Sequence, residues 1–127
     1  ATLPGKIGFI AQAMTGSTVM GPVMDSWHAV DVEYASQFAL LSRAFGRHRL
    51  SVRYDHFTVT ENDQVPSDDN AEDGHAWTLA YRFNASERIS LAAEWLTIKT
   101  HREAWAYFGV PTAATETQTQ LLLQVRF

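Results

Sequence analysis

Apolar and polar side chains alternate along most of this chain with a period of two, the spacing of a strand with two unlike faces rather than of a helix. Six stretches carry the pattern, near 6–15, 28–45, 49–60, 75–83, 88–100 and 115–127. In the first, Ile7, Phe9, Ala11 and Ala13 alternate with Lys6, Gly8, Ile10, Gln12 and Met14. In the second, Val30, Val32, Tyr34, Phe38 and Leu40 oppose Asp31, Glu33, Gln37 and Arg43. The third sets Leu50, Val52 and Tyr54 against Arg49, Ser51, Arg53 and Asp55. His75, Trp77, Leu79, Tyr81 and Phe83 oppose Ala76, Thr78, Ala80 and Arg82 in the fourth; Ile89, Leu91, Ala93 and Trp95 oppose Ser90, Ala92 and Glu94 in the fifth. The last reads TETQTQLLLQVRF, with Leu121, Leu123, Val125 and Phe127 on one side and Gln118, Gln120, Gln124 and Arg126 on the other.

Between these stretches lie connections rich in Gly, Pro, Asn, Asp and Ser, the residues that end strands. They alternate in length: long at 15–27, short at 46–48, long at 61–74, short at 84–87 and long at 101–114. The expected fold class is all-β, a single domain formed as an antiparallel up-and-down meander of about six strands. Short turns on one side and long loops on the other are the habit of transmembrane β-barrels.

On that reading the apolar faces point to lipid and the polar faces to a common interior. The expected pore-lining set is Glu33, Arg43, Arg53, Asp55, Arg82, Glu94 and Arg126, a ladder of mixed sign. In a narrow barrel the same groups would pair and fill the interior. An interfacial girdle is expected from Trp27, Trp77 and Trp95 near the long loops and from Phe83 and Phe127 near the short turns, with Tyr34, Phe38, Tyr54 and Tyr81 between.

Composition narrows the rest. The chain has 127 residues, a net charge of -4 and no cysteine. A phosphate-tracking nucleic-acid binder is disfavoured by that charge, and a disulfide framework or thiolate metal site is impossible. No stretch approaches the ~20 apolar residues of a membrane helix, which leaves strands untouched as a means of crossing. Ala1 opens without a basic n-region or an apolar h-region, so no secretory signal is read in these residues. The acidic stretch ENDQVPSDDNAEDG invites a calcium reading through Asp68, Asp69, Asn70, Glu72 and Asp73, but the EF-hand order fails. The five histidines lack metal spacing and no serine lies in GxSxG, so neither an enzyme nor a cofactor is expected.

Arg47 to Asp55 (RHRLSVRYD), the acidic Asp68 to Gly74 loop, Ala76 to Tyr81 (AWTLAY), Glu94-Trp95-Leu96 and the terminal strand ending on Phe127 carry a family likeness. Together they resemble the C-terminal portion of proteobacterial outer-membrane porin-like β-barrel proteins. The resemblance covers about Lys6 to Phe127. It implies a Gram-negative outer-membrane location, with short turns and C-terminus periplasmic and long loops extracellular. It also implies passive diffusion of small hydrophilic solutes, an oligomeric channel, contact with lipid and lipopolysaccharide, and an assembly signal in Leu121, Leu123, Val125 and Phe127. Members of that family are much longer. About six strands fall short of the eight that usually close a membrane barrel, so missing strands or further copies of the chain are expected as partners. The rival is a soluble β-sandwich or barrel binding module that uses the aromatic loop Trp105 to Phe108.

Overall fold

The computed structural model describes residues 2–3, 7–24, 27–63 and 69–127, the side chains at 2–3, 23–24 and 27–29 excepted. One antiparallel sheet contains every strand, in the sequence order β1 to β7. β1 (Thr2–Leu3) is a two-residue edge strand; the long strands are β2 (Ile7–Met24), β3 (Trp27–Phe45), β4 (His48–Glu61), β5 (Glu72–Asn84), β6 (Ile89–Arg102) and β7 (Ala113–Val125). Each pairs with its sequence neighbours, and the sheet is not closed: β1 and β7 are its two ends.

The meander and five of its six long strands lie close to where alternation predicts them. β2 is the exception. The stretch expected as a loop, 15–27, continues the strand: Thr15 pairs with Ala35 and Met20 with Val30. Its glycine and proline were misleading as loop signals. Gly21 has φ 84° and sits in a register shift between Met20 and Val23, so the turn-forming residues make a bulge inside a strand. Only residues 25–26 separate β2 from β3, and the expected long connection there does not exist. The connections at 62–71 and 103–112 remain long, and those at 46–47 and 85–88 remain short.

The register assigns every side chain to a face. Phe38, Asp55, Ala76, Ile98 and Glu116 form one row across the sheet, and Leu40, Arg53, Thr78, Leu96 and Gln118 form the next. This is the covered face: Gly74, Ala76 and Ser90 are buried on it, and Arg53, Asp55, Arg82, Leu96 and Ile98 are half-buried. The other is the open face, where Trp77, Leu79, Tyr81, Leu91, Trp95, Leu121 and Leu123 are all exposed. Ala76 is the sole buried apolar residue among those described. No second layer packs on either face among the described residues.

Candidate functional site

The open face carries a continuous apolar band from the short-turn end upward. Its lowest rows are Ile89 with Val125, then Phe45, His48, Phe83, Leu91 and Leu123. Next come Leu50, Tyr81, Ala93 and Leu121, then Phe9, Leu41, Val52, Leu79 and Trp95. Ala11, Ala39, Tyr54 and Trp77 form the uppermost row. Above them the face turns polar with Gln37, His56, His75 and Lys99, then Asp73 and His101. From Ile89 to Thr97, β6 climbs about 26 Å at ~3.3 Å per residue. A strand tilt of about 40° would make that about 20 Å of height, close to the ~25 Å apolar band of membrane barrels.

Rings mark both margins of this band. At the bottom, His48 stacks on Phe45 and Phe83 at centroid distances of 5.4 and 5.0 Å, and its Nδ1 lies 2.6 Å from Tyr81 Oη. Toward the top, Tyr54 packs on Trp77 at 4.8 Å, with Trp95 in the row beneath. Trp77, Trp95 and Phe83 share the open face, the two tryptophans in its upper two apolar rows and Phe83 in a low one. Phe127 is fully exposed just beyond β7. Trp27 begins β3 far above the level of Trp77, and its side chain lies outside the described residues. Leu121, Leu123 and Val125 share the open face as expected.

The charged ladder is regrouped by the register. Arg53, Asp55, Arg82 and Glu94 share the covered face, and Arg126 continues the row parity of Gln124 beyond the end of β7. Glu33 and Arg43 do not join them. Leu40 pairs with Arg53 and Phe38 with Asp55, so Val30, Val32, Tyr34, Phe38 and Leu40 fall on the covered face and Glu33 and Arg43 on the open one. The expected lipid-facing Tyr34 and Phe38 are thus on the charged side. Sequence could not settle this, because β3 has apolar residues on both faces and only pairing with β4 fixes which way each points.

Within the height of the apolar band the covered face holds Arg49, Arg53, Arg82 and Glu94, with Asp55 and Glu116 in the row just above it, whereas Arg43 is the one charged side chain on the open face at that height among the described residues. The covered charges are tied into the wall. Arg53 chelates both Asp55 oxygens through Nε at 2.9 Å and lies 4.1 Å over the Phe38 ring. Arg82 donates to Ser90 Oγ at 3.1 Å and to Gln124 Oε1 at 2.8 Å, bracing three strands. Above the band Glu72 accepts from Arg102 at 2.7 Å and from Thr100 Oγ1 at 2.7 Å.

The long connections are internally knitted. Glu61 Oε2 accepts from the Asn70 amide at 2.7 Å and Asp69 Oδ1 from the Ala71 amide at 2.9 Å, so these carboxylates serve the loop's own backbone. Asp68 of the calcium reading lies outside the described residues. Among the described residues no group of three or more His, Asp or Glu converges as a metal site. The connection after β6 forms a 3-10 turn, Glu103–Phe108, ended by Gly109 at φ 66°. Tyr107 and Phe108 stand exposed on it, while Arg102 lies 5.6 Å from the Trp105 ring.

Comparison with family models, curated proteins and solved structures gave no match.

Proposed function

We propose that this chain forms wall strands of a bacterial outer-membrane β-barrel, with lipid against the open face and a water-filled lumen against the covered face, and that it serves passive diffusion of small hydrophilic solutes. The observation that carries this reading is the inverted sorting of side chains. Four charged residues of the band, Arg49, Arg53, Arg82 and Glu94, lie on the covered face and one, Arg43, on the open face. Water-soluble domains hide apolar surface and expose charge, and a contiguous apolar face of this extent needs an apolar partner. Lipid is such a partner for a single-layer sheet whose charged groups at that height, Arg43 excepted, lie on the opposite side. The sandwich alternative would need a second sheet over the open face, and all described strands belong to one sheet.

In such a wall Arg53, Asp55, Arg82, Glu94 and Arg126 border the lumen, and Arg43, low in the band, extends toward the headgroups. The short turns at 46–47 and 85–88 face the periplasm, and the long connections at 62–71 and 103–112 face outward with lipopolysaccharide around them. Lipid tolerates no unpaired strand edge, so the two ends of the sheet must be paired by further strands or further copies. The test is reconstitution of the folded chain into planar bilayers, with discrete conductance steps expected. A chain that stays folded and monomeric in plain buffer, with Trp77 and Trp95 shielded from an aqueous quencher, would remove the membrane reading.

A further inference from the structure

The ends of the covered face differ in charge, and one of them is built like a binding site. The two short turns and the segment after β7 border an open cavity of about 530 Å³ lined by Arg47, Arg82, Arg88, Arg126 and Glu87, a local net charge of +3 in a chain of net -4. Arg49, directly opposite Arg82 on the covered face, adds to the positive field. The cavity is assembled by bonds between the connections and by bonds within the second of them. The Asn84 amide donates to the Arg47 carbonyl at 2.9 Å, and Arg47 Nη1 returns a bond to the Ala85 carbonyl at 2.9 Å. The Arg126 amide donates to the Arg88 carbonyl at 2.8 Å, which holds these two residues side by side. Ser86 Oγ accepts from the Arg88 and Ile89 amides at 3.2 and 3.1 Å and fixes the turn that presents Arg88.

Among the described residues none of the four arginines makes an ion pair. Arg82 is oriented by neutral acceptors, Ser90 and Gln124, so its position is fixed while its charge stays uncompensated. Preoriented guanidinium forks without a carboxylate partner are the donors that bind oxyanions bidentately. Arg82 and Arg126 have the parity of the covered face, opposite the apolar band, so a ligand reaches them from that side of the sheet.

We propose that the Arg47, Arg82, Arg88 and Arg126 cavity is a binding site for small multivalent oxyanions, phosphate esters or polycarboxylates, at the short-turn mouth of the sheet. The site needs only the folded sheet and stands apart from the pore reading. The test is titration of the full-length folded chain with pyrophosphate and separately with tricarballylate at low ionic strength, followed by calorimetry, with the fold checked by far-ultraviolet circular dichroism. Saturable binding is expected, weakened at least tenfold in R88Q/R126Q, whose side chains are exposed and lie outside the strands, and changed less than twofold in R43Q on the opposite face. Binding of one anion and not the other supports the site and assigns its source. No saturable binding of either, or equal loss in R43Q and R88Q/R126Q, overturns it. Conductance on the same preparation separates the two proposals: channels without anion binding sink the site alone, and binding without channels sinks the pore alone.

Discussion

Glycine at position 74 is required by space. A Cβ there would stand 2.6 Å from the Lys99 carbonyl oxygen and press on the end of the Phe57 ring. That carbonyl belongs to the β5–β6 ladder and cannot retreat without breaking it. Gly74→Val therefore destabilises the folded sheet by about 1–3 kcal/mol, read as a lower midpoint in urea unfolding. Gly8 is the contrast, with open space where its Cβ would go, and Gly8→Ala shifts the midpoint by less than about 0.5 kcal/mol. Glu72, above the apolar band, gives a pH signature. Burial pushes its carboxyl up, but hydrogen bonds from Arg102 and Thr100 and the Arg102 charge outweigh burial and hold it below the ordinary 4.5. A carboxyl held lower in the folded state contributes stability that is present above its unfolded pKa and lost as pH falls through the folded one. Wild-type unfolding midpoints should therefore drop on acidification below about pH 4.5. Glu72→Gln should be less stable at pH 7 and flatter across that window; an equally steep drop in the variant would assign the loss to other groups.

At the scale of the strand, adjacent residues make the sharpest test of which side meets lipid. Leu79 lies in the middle of the apolar band on the open face, and Thr78 lies beside it on the covered face. Leu79→Arg should cost about 2–4 kcal/mol in bilayer or micelle unfolding, and Thr78→Arg far less. Equal costs would mean that the two faces see the same medium. Strand positions and their order were legible because alternation persists through β4 to β7, each of which has one plainly apolar side. β2 and β3 were legible as strands but not as faces. Their alternating partners include Gly8, Ile10, Ala39 and Leu41, so both sides look acceptable in either environment, and pairing with β4 decides. The upper half of β2 was hidden because Gly21 and Pro22 imitate a loop while making a bulge. The arginine cavity was hidden for a different reason. Arg47 and Arg88 lie in turns, outside any alternating run, and only the hydrogen bonds between turns bring them to Arg82 and Arg126. The signal available in sequence was the crowding of Arg43, Arg47, Arg49, Arg82, Arg88 and Arg126 around the short connections and of carboxylates around the long ones.

For the whole molecule, the open sheet and its charge separation set the expectations. A single copy leaves an unpaired edge at β7, which lipid would not permit if the sheet spans a membrane as proposed. The chain folded alone in detergent should therefore run as an assembly, its protein mass by light scattering a multiple of the 14.2 kDa protomer. A folded species of protomer mass in detergent would rule out pooling of strands between copies. The strands also end at unequal heights. Beyond the level of Trp77, β5 continues for five residues to Glu72, about 17 Å, whereas β3 continues from Ala39 to Trp27, about 40 Å at ~3.3 Å per residue. In an outer membrane, as proposed, the rim would slope, with the paired strands β2 and β3 reaching beyond the ends of β4 and β5. On that proposal the upper pairs of β2 and β3, such as Met20 with Val30, would stand farther from the bilayer than the paired end of β4 at Glu61, so a soluble ligand would meet them before it met the rest of the described sheet.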